Sequence, residues 1–164
     1  MKVSLLSASA TTFSKLFKLV DAFFAHEELD HDVERTQAAL HSLASRPEMG
    51  RIWLIEVEQD DETHLVGHLV VSFSFSLEVA GRVAIVDQFY LDPHWRSQGV
   101  GTYVIPAIEN ALTNEGISQL SMEVNIGNGG ARRFYERMGY NPRRQHCIMS
   151  KNLVLEPADL DMVS

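Results

Sequence analysis

The chain has one cysteine, Cys147, so it cannot close an internal disulfide, and that usage fits a reducing compartment. It has no apolar run approaching the length of a membrane span. The first ten residues hold an apolar core of only Val3 to Leu6, followed by serines and threonines. They read as a first strand, not as a leader, and a cytoplasmic location is expected. Basic residues are the minority charge, 14 Lys and Arg against 22 Asp and Glu, for a net charge of −8. No basic face is offered to phosphates, so neither nucleic acid nor a membrane is expected as a partner. His26 and His31 stand near carboxylates but at no zinc-binding spacing, and no metal is expected. Repeats and low-complexity segments are also missing.

What remains is an ordinary globular composition with 164 residues, enough for one core. A single domain over 1–155 is expected, with a polar tail over 156–164. The apolar pattern predicts strands at Lys2–Ala8, Ile52–Val57, Leu65–Leu77, Val83–Leu91, Ile117–Val124 and His146–Leu153. It predicts helices at Phe13–Ala25, with Thr11 or Thr12 as cap, and at Val33–Ser45, Thr102–Glu115 and Gly130–Met138. Pro106 falls inside the third of these and should kink or bulge it.

The organising stretch is Arg96-Ser97-Gln98-Gly99-Val100-Gly101-Thr102, placed between an apolar strand and a helix. Glycines let backbone N–H groups approach an anion, and a helix N-terminus adds partial positive charge. The turn is not a Walker A loop, because no Lys follows the last glycine. It is not a dinucleotide fingerprint either, because position 104 is Val104. Downstream lies a second block, Asn128-Gly-Gly-Ala131-Arg-Arg-Phe134-Tyr135.

In order and spacing, the two blocks together resemble the GNAT superfamily of N-acetyltransferases, with the likeness running from about Val66 to Leu153. The resemblance implies an α/β (α+β) fold with a mixed, mainly antiparallel central sheet, splayed in the middle and flanked by helices. It implies that acetyl-CoA lies in the splay, between Val83–Leu91 and Ile117–Val124. Asn128 and Ala131 belong to the second motif, and in the family the Asn contacts the coenzyme or caps the helix. A Tyr at the place of Tyr135 protonates the coenzyme thiolate in the family. A phenol, with its pKa near 10, is protonated at neutral pH and can do so. Some small-amine-specific relatives carry an acidic base at the place of Asp87.

Acetyl transfer from a thioester to an amine sets four needs. The turn Arg96 to Thr102 meets the first, the grip on pyrophosphate. Backbone N–H groups of Phe89, Tyr90 and Leu91 at the splayed strand end suit the carbonyl oxygen. Tyr135 is the expected acid. The amine must be neutral, and Asp87, Glu123 and Glu78 are the candidate bases, in that order. Glu27, Glu28, Asp30 and Asp32 form an acidic loop that can wall the acceptor site or simply be solvated. No partners support an acyl-cysteine route through Cys147.

The expected activity is therefore N-acetylation of a primary amine by direct attack in a ternary complex. A small-molecule acceptor is expected: a polyamine, a diamine, an amino acid derivative or an amine antibiotic. The run Phe73 to Tyr90 looks closest to diamine acetyltransferase-like members. A protein N-terminus or lysine as acceptor, or a non-catalytic acyl-CoA sensor, are the alternatives. By resemblance, the chain can pair as a homodimer.

Overall fold

A computed structural model describes residues 1–143, 147–151 and 153. In chain order it contains β1 (Lys2–Ser7), α1 (Phe13–His26), α2 (Val33–Ser45), β2 (Gly50–Gln59), β3 (Glu62–Ser76) and β4 (Gly81–Leu91). A 3-10 turn (Pro93–Trp95), α3 (Val100–Asn114), β5 (Ile117–Met122) and α4 (Gly129–Arg137) follow. The strands form one sheet in the order β1-β2-β3-β4-β5. The first three pairings are antiparallel and the last, β4 with β5, is parallel. This is the mixed, mainly antiparallel sheet that the sequence predicts.

Side chains of a strand alternate between faces, and the two cores follow that alternation. On β2, Trp53, Ile55 and Val57 belong to one core, while Ile52 and Leu54 belong to the other. The first core fills the space under α3, through Val104, Ile105, Ile108 and Leu112. The second lies under α1 and α2, through Phe13, Leu16, Val20 and Leu40. Burying each such side chain contributes about 1.5–3 kcal/mol. Arg51 on β2 anchors the far end of α3 by a forked pair with Glu115, at 3.1 and 2.6 Å.

Several boundaries differ from the sequence reading. Thr12 occupies the cap position of α1, but its hydroxyl accepts from the Ser9 N–H at 2.9 Å and caps nothing in the helix. α3 runs through Pro106 unbroken. β5 ends at Met122, two residues short of Val124. The expected last strand is not formed among the described residues. Residues 147–151 and 153 carry no strand pairing, Cys147 is exposed, and Ile148, Met149 and Leu153 are exposed as well. Apolar periodicity marks what can pair, whereas a strand exists only where a partner edge takes its N–H groups. His146 and the tail Glu156–Ser164 lie outside the described residues. No helix among the described residues is long and apolar enough to cross a membrane.

One polar side chain is wholly buried among the described residues: His68 on β3, with 0% exposure. Its Nε2 lies 3.0 Å from Gln88 Oε1, and its ring packs near Phe23 and Tyr90. Burial holds its pKa down to about 4, partly offset by the bond to Gln88. Folded His68 thus refuses a proton that the unfolded chain takes up between about pH 6.5 and 4. Stability should fall as pH drops through that window, by on the order of 3 kcal/mol from this group. His68→Leu should flatten the fall, read as the difference in urea midpoint between pH 7 and pH 4.5.

Candidate active site

β4 is paired on both edges only over its first half. Its parallel partnership with β5 covers Arg82 to Val86 and stops there. At the same place the antiparallel register with β3 slips: Val71 faces Val86, Val70 faces Gln88, and Asp87 is the extra residue of a β-bulge. From Asp87 onward β4 keeps β3 as its neighbour and loses β5. The Asp92 N–H donates to the Val66 carbonyl at 2.8 Å. By strand alternation the Tyr90 N–H also points to β3, opposite His68, while those of Phe89 and Leu91 point into the gap. Of the three N–H groups expected there, two are free to act.

The gap opens toward the glycine turn. Gly99 is the N-cap of α3, at φ +86, and Ser97 is also left-handed, at φ +60. A Cβ on Gly99 would meet nothing within 4 Å, so the turn faces open space. Side chains cap the other two helices that flank the site: Asp32 accepts from the Arg35 N–H, and Asn128 accepts from the Ala131 N–H. No side chain caps α3. The leading N–H groups, at Val100, Gly101 and Thr102, are therefore left for an outside acceptor, and an anion such as pyrophosphate fits that vacancy of partners. Gln98 spends its amide on the His94 carbonyl. Arg96 does not project into the turn. Its Nε donates to the Leu91 carbonyl at 2.8 Å, its Nη1 donates to His26 Nε2 at 2.9 Å, and it lies over the Tyr90 ring at 5.6 Å.

α4 closes the other side of the gap. A Cβ on Gly101 would sit 3.1 Å from the tip of the Phe134 ring and 3.8 Å from that of Phe89. Tyr135 lies one ring further on, 5.1 Å from Phe134 and 5.7 Å from Tyr140. Phe134 and Tyr135 both pack on the core. The two tyrosines nevertheless differ. Tyr140 donates to Glu109 Oε1 at 2.7 Å, and burial with that carboxylate pushes its pKa up. The Tyr135 hydroxyl has no hydrogen bond among the described residues and is not a sealed orphan. Desolvation pushes its pKa up to about 12, which keeps it a proton donor.

On the opposite face of the sheet, under α2, lies a cavity of about 460 Å³. Asp87 and Gln88 form its floor, with Asp32, Arg35, His31 and Phe24 around them. Desolvation raises the Asp87 carboxyl above its ordinary value. Asp32 is committed to its cap, and His31 stacks on Phe24 and meets Asp21 at 3.2 Å. The other acidic candidates fall elsewhere. Glu28 and Asp30 are exposed in the connection between α1 and α2; neither they nor Glu27 line the cavity. Glu123 is exposed beyond the end of β5. Glu78 sits in the turn at the far end of β4 and pairs with Arg143 at 3.2 Å. Among the described residues no cluster of His, Cys, Asp and Glu can hold a metal. Nothing in the sequence marks Gln88, Arg35 carries only the local signal of the Asp32-x-x-Arg35 cap, and His31 stands out there only as a possible metal ligand.

A sequence profile of the Acetyltransferase (GNAT) family matches residues 13–140. The chain belongs to this family. A search of curated proteins finds no match. Among solved structures, an integron cassette protein from the mobile metagenome of Cole Harbour Salt Marsh superposes with a TM-score of 0.78 at 23% identity, over 93% of this chain and 91% of that one. The aminoglycoside antibiotic 6'-N-acetyltransferase AAC(6')-Ih from Acinetobacter baumannii superposes with a TM-score of 0.72 at 13% identity, over 93% and 100%. AAC(6')-Iy, solved with the bisubstrate analog CoA-S-monomethyl-acetylneamine, gives 0.75 at 13%, again over 93% and 100%. At such identities the likeness is one of fold. Acetyl-CoA is the acyl donor of the family, and this chain is an acetyltransferase by membership.

The cap of α4 offers a direct check on the local geometry. Asn128→Ala should lower stability by about 1 kcal/mol, and Asn128→Asp should recover most of it, as read from denaturant midpoints.

Proposed function

We propose that the protein transfers the acetyl group of acetyl-CoA to a primary amine of a small molecule, with both substrates bound together. One observation carries this reading. β4 parts from β5 at the residue where it bulges, so Asp87 stands at the head of the gap and also on the floor of the cavity. A donor in the gap and an acceptor in the cavity would then meet across one strand.

Acetyl-CoA supplies an activated thioester carbonyl. The turn's N–H groups, from Gln98 to Thr102, hold its pyrophosphate, and the Phe89 and Leu91 N–H groups face the arm and the carbonyl oxygen. Asp87 takes a proton from the bound ammonium, directly or through one water, so that the nitrogen lone pair is free. As the C–N bond forms and the C–S bond breaks, the Tyr135 hydroxyl gives its proton to the departing sulfur. The raised pKa values of Asp87 and Tyr135 support these roles: one is a stronger base than an ordinary carboxylate, the other remains an acid at neutral pH. Arg96 acts through the strand end and α1, not on phosphate. The acceptor is a polyamine, diamine, amino acid derivative or amine antibiotic. The aminoglycoside acetyltransferases among the structural neighbours favour this over a protein acceptor or a silent sensor.

Three measurements test the reading. Acetyl-CoA at a hundred times its Kd should stabilise the protein by about 2.7 kcal/mol, and absence of any shift would sink the proposal. Gly99→Asn tolerates the left-handed turn and should keep most of this shift, whereas Gly99→Asp, similar in size but charged, should lose it. Thiol release with a panel of small amines should fall about a hundredfold in Tyr135→Phe at nearly unchanged coenzyme affinity. The reaction needs ionised Asp87, whose carboxyl desolvation raises, so kcat/KM should drop as pH falls through a value higher than that of an unperturbed aspartate, and Asp87→Asn should abolish that limb.

A further inference from the structure

The cavity floor joins two consecutive residues of one strand, which is unusual. In a regular strand Asp87 and Gln88 would point to opposite faces. The bulge sets two residues of β4 against one stretch of β3, and both side chains line the same cavity. A carboxylate and a carboxamide thus stand side by side where the acceptor amine binds.

Which end of the carboxamide faces the cavity follows from His68. Gln88 lies opposite Val70 and diagonally across from His68 on the same sheet face. One amide atom is engaged by His68 Nε2 at 3.0 Å, and the other is left for the cavity. Two arrangements satisfy that contact. In the first, Nε2–H donates to the Gln88 oxygen, and Nδ1 carries a lone pair. In the second, the Gln88 NH2 donates to Nε2, and Nδ1 carries the proton. Nδ1 is fully buried and has no partner among the described residues. The structure turns Oε1 toward Nε2, and orphaned buried N–H groups are rarer in folded proteins than under-satisfied acceptors, so the first arrangement is the one chosen. The environment also keeps the ring neutral, which excludes the form with protons on both nitrogens. The Gln88 nitrogen has no hydrogen bond among the described residues, yet is not sealed from solvent, as a group at a cavity wall should be.

We propose that His68 is a positioning residue that locks the Gln88 carboxamide with its NH2 toward the cavity. Together with the Asp87 carboxylate beside it, that NH2 selects primary amines bearing an oxygen acceptor on the neighbouring carbon, as in a vicinal amino alcohol. Asp87 takes the ammonium and Gln88 donates to the oxygen. The assignment rests on the acceptor reading of this cavity and narrows it to a substrate class. A plain alkylamine leaves the Gln88 donor unpaired when it displaces water, and discrimination by a donor left unpaired is stronger than that by shape alone.

The test has a spectroscopic arm and a kinetic arm. Ring-nitrogen NMR of His68 in the intact protein at pH 7 should show the neutral Nε2–H form; a proton on Nδ1 would overturn the assignment. The kinetic arm compares pairs of amines that differ only by oxygen against methyl: 2-aminoethanol with propylamine, and trans-2-aminocyclohexanol with trans-2-methylcyclohexylamine. The ratio of kcat/KM within each pair should favour oxygen by about tenfold or more, mainly through KM. Gln88→Glu keeps the size and the contact to His68 but replaces the cavity-facing NH2 by an acceptor, and it should erase the preference. His68→Leu frees the carboxamide to turn and should erase it too. An oxygen preference that is absent in the wild type, or survives in Gln88→Glu, overturns the proposal. The broader reading fails separately: it falls if acetyl-CoA does not stabilise the protein, whereas stabilisation and turnover without the oxygen preference sink this assignment alone.

Discussion

A β-strand can hydrogen-bond along both edges, and β4 gives up one of them halfway along. That half-open edge is the constraint on which the rest of the site depends. Backbone N–H groups left without partners inside a protein are costly, so a strand stays open only where something else takes them. In β4 the cost is confined to a few residues next to the bulge, and the antiparallel partner β3 holds the strand in place regardless. Both cores grip the stretch, one through Val86, the other through Val70 opposite Gln88. The opening beside the edge strand β5 is thereby bounded by packing on both faces of β4.

The two sides of β4 differ in their electrostatics. On the gap side the positive element is a helix terminus with no side-chain cap, so its charge is backbone charge and does not titrate. On the cavity side the charge is a carboxyl raised by its surroundings, and it does titrate. An uncapped helix terminus offers positive charge to an anion in a protein of net charge −8 without an arginine aimed at it. Arg96, the cation that looked closest to the turn, instead ties the Leu91 carbonyl to His26 at the end of α1. It links the strand end to the helix beside the cavity.

What could be read beforehand was chemistry that is local in the chain. The glycine turn, the Asn128 cap and the position of α3 depend on neighbours a few residues away, and they were legible. The bulge was not, because it is a relation between two strands about 16 residues apart in sequence, and neither strand alone marks which residue is extra. Family likeness points to Asp87, whereas nothing in the sequence marks Gln88 or His68: one is a polar residue in an apolar run, the other one histidine among seven. The missing last strand has the same origin. The apolar residues near Cys147 suggest a strand as those of β4 do, and only pairing tells the two apart.

The contact between Gly101 and Phe134 has a mechanical side. The ring occupies the volume that a methyl group would need, so the spacing between α3 and α4 is set by an atom the chain does not have. Because Phe89 meets the same spot, the strand, the turn and the second helix share one bearing surface. Changing the spacing of the turn would require these three parts to move together, and a smaller side chain at position 134 is the place where that constraint would be loosened.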